Sequence, residues 1–179
     1  MHRRFILLSS LLASTAAATA PVLAQQPAWQ TITGADGRYS FDIPTPFKQS
    51  SSTGAYNSIL RGYMYEFGGG RSGLDMTIIE IDPGDPDHPA TDVGALLKNG
   101  QSNVQRRWPG AAVLQQGEIS QGQAQGRSFT LSVDGGRLLL IGRVYFLNAR
   151  LYVQVAIVPP EGQNSAMVTR FMTSLRIVR

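Results

Sequence analysis

The chain contains no cysteine and only two histidines, His2 and His88. Without cysteine there is no disulfide, no thiolate nucleophile and no thiol to carry a lipid. With His88 as the only histidine beyond the first residues, a two-histidine zinc site cannot be built within one chain. A serine nucleophile would have a single candidate base. The G-x-S-x-G elbow is also missing, because Ser72 and Ser128 lack the second flanking glycine. Long apolar runs are absent too. Phe5 to Leu12 is too short for a membrane span of about 20 residues. Leu138–Ile141 and Leu151–Val158 are interrupted or bounded by charged and polar side chains. No stable membrane insertion is expected once the N-terminal segment is removed.

That segment has the anatomy of a secretory signal. His2-Arg3-Arg4 is basic, Phe5 to Leu12 is mostly apolar, Ala13 to Ala20 is rich in small residues, and Val22-Leu23-Ala24 presents a small-x-small cleavage pattern before Gln25. The expectation is export to the periplasm or the medium, with cleavage after Ala24. Arg3-Arg4 followed by Phe5-Ile6-Leu7 also matches a twin-arginine signal, so either the general secretory or the twin-arginine route is open. Residues 25–179 then form one domain of ~150 residues, large enough to be stable on a single core.

Arg3 and Arg4 belong to the signal, so the 16 basic residues become 14 against 12 acidic ones. The two halves differ more than the total does. Residues 25–92 carry 4 basic and 9 acidic side chains, whereas residues 93–179 carry 10 and 3. Such asymmetry is consistent with an electrostatic partner surface, and equally with two halves that interleave their charges on folding.

The mature chain alternates apolar and polar residues in short runs. Trp29–Thr33 and Arg38–Ile43 flank the turn Gly34-Ala-Asp-Gly37, which predicts a hairpin with Tyr39, Phe41 and Ile43 on one face. Lys48 to Gly54 is rich in serine and reads as a polar loop. Ile59–Phe67 and Leu74–Ile81 predict two further strands around Gly68-Gly-Gly70-Arg-Ser-Gly73. Thr91 is the expected N-cap, with Asp92 in the first turn, of a helix in which Val93, Leu96, Leu97, Gly100, Val104 and Trp108 keep helical spacing, stopped by Pro109-Gly110. Four strands follow at Val113–Ser120, Arg127–Asp134, Leu138–Leu147 and Leu151–Val158. A closing helix, capped by Asn164 or Ser165, carries Val168, Phe171, Met172 and Leu175. The order ββ-ββ-α-ββββ-α predicts an α+β fold, an antiparallel β-sheet of about 6–8 strands with helices packed on it.

Few motifs carry chemistry. The glycine run at 68–73 formally fits a dinucleotide fingerprint, but a strand follows it where a helix is required, so it reads as a hairpin turn. Asp82, Asp85 and Asp87 could offer oxygen ligands to calcium, yet their spacing lacks the helix-loop-helix pattern and three prolines restrict them; a solvated loop is the simpler reading. Asp42, Glu66, Asp75 and Glu80 could supply an acid–base pair, although nothing in the sequence brings two of them together. No cofactor, metal or nucleic acid is expected. Arg106-Arg107-Trp108 combines residue types enriched in protein interfaces. Tyr63, Tyr65 and Phe67 form an aromatic stripe that fits either a core or an apolar ligand.

The strand motif W…DGRYSFDIP at Trp29–Pro44, the central helix, the hairpin RVYFLNARLYVQV at 143–155 and the closing RFMTSL at 170–175 together resemble the PsbP-like α/β sandwich group, which includes DcrB-like bacterial envelope proteins. The resemblance covers roughly residues 29–178. It implies an antiparallel sheet flanked by helices, and docking or assembly rather than catalysis. The sequence as a whole therefore points to an exported accessory module for an envelope protein partner. A binder of an apolar small molecule between sheet and helices, or a hydrolase using paired carboxylates, are the alternatives.

Overall fold

The structure, a computed structural model, describes residues 27–53, 59–69, 72–81 and 92–178. The signal segment, and the loop carrying Asp82, Asp85, Asp87 and His88, lie outside the described residues. The first hairpin is β1 (Trp29–Thr33) and β2 (Tyr39–Pro44). It is followed by β3 (Phe47–Thr53), β4 (Ile59–Gly69), β5 (Ser72–Ile81) and α1 (Val93–Arg106). Then come β6 (Ala112–Gln121), β7 (Ala124–Val133), β8 (Leu138–Leu147), β9 (Arg150–Val158), α2 (Ala166–Ser174) and the short β10 (Arg176–Ile177).

Seven strands form one antiparallel sheet in the order β3-β4-β5-β9-β8-β7-β6, and β1-β2-β10 form a second, smaller one. The fold class is the α+β antiparallel architecture that the patterning implies. Two details differ from expectation. The polar stretch read as a loop is the edge strand β3, paired from Phe47↔Phe67 to Thr53↔Arg61. An edge strand needs only one ladder and can leave its side chains in water, so it shows no apolar alternation, and its polar residues blunt the edge. The first hairpin leaves the main sheet and is joined by β10, through Arg176↔Ser40 and Ile177↔Tyr39.

β9 is the centre of the large sheet, buried at every position from Leu151 to Val158. Its pleat divides the core in two. Tyr152, Ala156 and Val158 face a cluster made with Tyr39, Phe41 and Ile43 of the small sheet and Phe171 and Met172 of α2. Leu151, Val153, Val155 and Ile157 face the opposite cluster, which includes Phe129, Leu131 and Val144 and is covered by Leu97 of α1. Two glycines permit the close contacts there. A Cβ on Gly100 would lie 2.9 Å from Val144, so α1 rests directly on β8. A Cβ on Gly142 would lie 2.2 Å from the Phe129 ring, which occupies that space.

Polar side chains of the sheet hold the buried end of α2. Gln154, fully buried, donates Nε2 to the Phe171 carbonyl at 2.6 Å. Arg143 donates to the Met172 carbonyl at 2.6 Å, and Gln121 to that of Leu175 at 2.6 Å. The last carbonyls of a helix have no partner of their own, and a cation there also complements the helix dipole. Ser165 caps the other end by accepting from the Val168 N–H. On α1 the cap falls one residue later than the patterning implies, at Asp92, whose carboxylate accepts from the Ala95 N–H at 2.9 Å. The small sheet is tied down by Arg150, which reaches Asp36 at 2.5 Å and Glu80 at 2.9 Å.

Candidate functional site

α1 packs on β7 and β8. It therefore leaves the same face of β5 and β9 beside it as a cleft of about 340 Å³. The floor is Thr77 and Ile79 from β5 and Val153, Val155 and Ile157 from β9; the wall is Gly100, Asn103 and Val104 from α1, with Arg107 and Trp108 just past its end. Strand pleat explains the apolar floor. Both strands are interior, so the residues on this face are as branched and apolar as those on the other. That volume sits at the low end of the ~300–1,000 Å³ range of ligand pockets.

One carboxylate interrupts this surface. Asp75 lies on the cleft side of β5, directly across from Glu66 on β4, with Val155 as its other neighbour. Lys48 on β3 stands opposite Glu66. Like charges directly across strands destabilise a sheet. Asp75 is mostly buried, and it makes no hydrogen bond or ion pair among the described residues. Burial raises its pKa to about 6, the Glu66 charge adds to the rise, and Arg107 offsets part of it. A smaller hollow of about 100 Å³ is lined by Asp75, Lys48, Glu66, Gly68 and Gly73.

The residues singled out in sequence fall in different places. Arg107 and Trp108 line the cleft, Trp108 half-buried against the α1-side core. Arg106 is exposed and donates to Asn103 within the helix; it lines a separate shallow depression with Trp108 and Pro109. Tyr63, Tyr65 and Phe67 point to the other face of the sheet. Tyr65 is 4% exposed and meets Phe41 edge-on at 5.1 Å, while Tyr63 and Phe67 pack against the same cluster. Asp82, Asp85 and Asp87 lie outside the described residues. Among the described residues no group of three or more possible metal ligands occurs. Glu66 and Asp75, two of the four carboxylates considered as acid–base candidates, are brought together by register; the spacing of a long hairpin held that signal, but only the pairing reveals it. Asp42 is instead engaged with Thr31 and Arg170, and Glu80 with Arg150.

A larger and more open depression of about 450 Å³ lies between the start of α1 and β6–β7. Its charged groups, Lys98, Glu118 and Arg127, are of both signs, and Arg127 is already bonded to Gln101. It lacks the apolar floor of the first cleft.

No family model and no curated protein matches the chain. Among solved structures, the cyanobacterial PsbP protein CyanoP of Synechocystis sp. PCC 6803 superposes with a TM-score of 0.58 at 12% identity. The match spans 86% of this chain and 95% of that one. The fold is that of PsbP. At that identity the fold alone is shared. Protein PA94 of Pseudomonas aeruginosa matches at a TM-score of 0.39 and 14% identity, over 75% of this chain and 85% of that one. The Ran-binding protein Mog1p of Saccharomyces cerevisiae matches at 0.46 and 9%, over 85% and 96%. Those two scores are too low to carry weight. No described helix is long and apolar enough to cross a membrane.

Proposed function

We propose that this chain is an exported, non-enzymatic binding module that serves as an accessory to another envelope protein. The single observation that carries this reading is the end of α1, where the exposed Arg106 and Arg107 precede a half-buried Trp108 beside an apolar cleft. Tryptophan and arginine around a partly desolvated hollow are the usual anchors of protein interfaces. The signal anatomy of residues 1–24 supports export, and the cysteine-free chain from Gln25 onward fits a single soluble domain held by its core. Pull-down from an envelope extract tests the reading, with the native chain and with Arg106, Arg107 and Trp108 changed to alanine. A partner recovered by the native chain and lost by the variant is expected. Equal recovery removes this surface, and no recovered partner removes the reading. The mass of the exported product tests the signal, since cleavage after Ala24 leaves Gln25 at the N-terminus.

The cleft itself favours a second reading, a binder of an apolar small molecule between sheet and helix. The Tyr63, Tyr65 and Phe67 stripe is committed to the opposite core, so the α1-side cleft is the better place for it. Paired carboxylates also suit glycoside hydrolysis. A sugar, however, needs hydrogen-bonding partners along its ring, and this floor offers little beyond Thr77 and Asn103.

A further inference from the structure

We infer that the α1-side cleft takes a small amphiphile with an aliphatic body and a single protonated amine, its ammonium placed at Asp75. This rests on the small-molecule reading of the cleft. The body is indicated by the floor, because Ile79, Val153, Val155 and Ile157 offer an aliphatic surface in which Thr77 is the one hydroxyl among the described floor residues. A volume of 340 Å³ holds roughly eleven to fifteen heavy atoms at packing between that of a liquid and of a protein interior, so it has room for an eight-carbon chain and its head group. The sign of the head is indicated by Asp75. It is the one carboxylate among the described lining residues, it is half-buried on the cleft side of β5, and it makes no hydrogen bond with a described group. A buried anion of this kind is satisfied by a charge-assisted N–H donor. Glu66, its cross-strand neighbour, adds a second negative charge at the same end.

The described cations nearby do not already fill this role. Lys48 is exposed on the edge strand opposite Glu66, and Arg107 is exposed at the mouth. Neither makes an ion pair with Asp75 among the described residues. Arg107 acts instead as a competing charge at the entrance. Its removal strengthens binding of an amine and weakens binding of an anion.

Calorimetry on the full purified chain at pH 7.5 tests the inference with n-octylammonium, octanol and octanoate as probes. Octylammonium is expected to bind at least tenfold more tightly than octanol, and octanoate more weakly than either. Asp75→Asn should lower octylammonium affinity at least tenfold while leaving octanol within twofold, which also shows that the variant is folded. Arg107→Gln should tighten octylammonium binding. Lowering the pH from 7.5 to 5 should weaken it in the native chain but not in Asp75→Asn. The inference is overturned if no probe binds, if octanoate binds best, or if Asp75→Asn leaves the amine unaffected. The protein-partner reading predicts the opposite sign for Arg107, whose loss should reduce capture of a partner. The two ideas can therefore fail separately.

Discussion

Replacing Asp75 with asparagine should make the protein more stable at neutral pH, by an amount that depends on pH. The Asp75 carboxyl has an ordinary value of 3.8 and is pushed up to about 6 by burial and by Glu66, with Arg107 pulling the other way. Because the folded value lies above the unfolded one, the folded chain holds the proton more tightly. The resulting stabilisation is fully present below 3.8 and is lost as pH rises through about 6. That difference corresponds to about 3 kcal/mol at 1.36 kcal/mol per pH unit. The asparagine variant does not titrate, so its stability minus that of the native chain should rise by about 3 kcal/mol between pH 3.5 and 7. An unpaired amide also has a burial cost, about 1 kcal/mol in protein data, so the net gain at pH 7 is about 2 kcal/mol. For a domain of this size that is roughly 4–8 °C in Tm. Urea denaturation of both proteins at half-unit pH intervals measures it directly. A difference that stays flat from pH 3.5 to 7 would refute the reasoning, for it would mean that Asp75 is either solvated or already paired. Retaining a carboxylate that weakens the fold is what a binding role for Asp75 would require.

Other substitutions probe the frame that holds the cleft. Gly142→Ala should cost about 2 kcal/mol, because the new methyl meets the buried Phe129 ring at 2.2 Å; a melting temperature within a degree of native would show that the ring can move aside. Arg143→Met keeps the apolar length but removes the donor to the Met172 carbonyl, and should cost about 1.5–2 kcal/mol in urea unfolding; a loss under half of that would place the bond among the dispensable ones. Ala149→Gly should gain about 0.5–1 kcal/mol, since Ala149 has φ +56° in the tight turn between β8 and β9, where a Cβ is strained; destabilisation would show that the methyl packs more than it strains.

Much of this architecture is visible in residue patterns, for identifiable reasons. Tyr39, Phe41 and Ile43 alternate because one face of their strand is buried and the other is not, and all three are buried. The α1 stripe from Val93 to Val104 reads cleanly because that helix covers the sheet on one side only. β3 was hidden, since Gln49, Ser50, Ser51 and Ser52 carry no apolar signal when only the backbone is engaged. Gln154 and Arg143 looked like interruptions of apolar strands. They serve helix carbonyls that are distant in sequence, and no local pattern records such partners.

The candidate site divides in the same way. Arg106-Arg107-Trp108 was recognisable by residue type, because adjacent residues at the end of a helix stay together in any fold. Asp75 and Glu66 were recognisable only as two carboxylates among several. Their juxtaposition depends on the β4–β5 register, in which a slip of one residue would send one of them to the opposite face. By itself the sequence determined the element types, the apolar faces and the absence of thiol or two-histidine chemistry, because these follow from residue identity and local period. Only the tertiary structure decided which face α1 covers, that the aromatic stripe is core, and that a desolvated carboxylate ends an apolar cleft. Those features arise from strand register and from the width of one helix set on a broader sheet, and both are long-range properties of the chain.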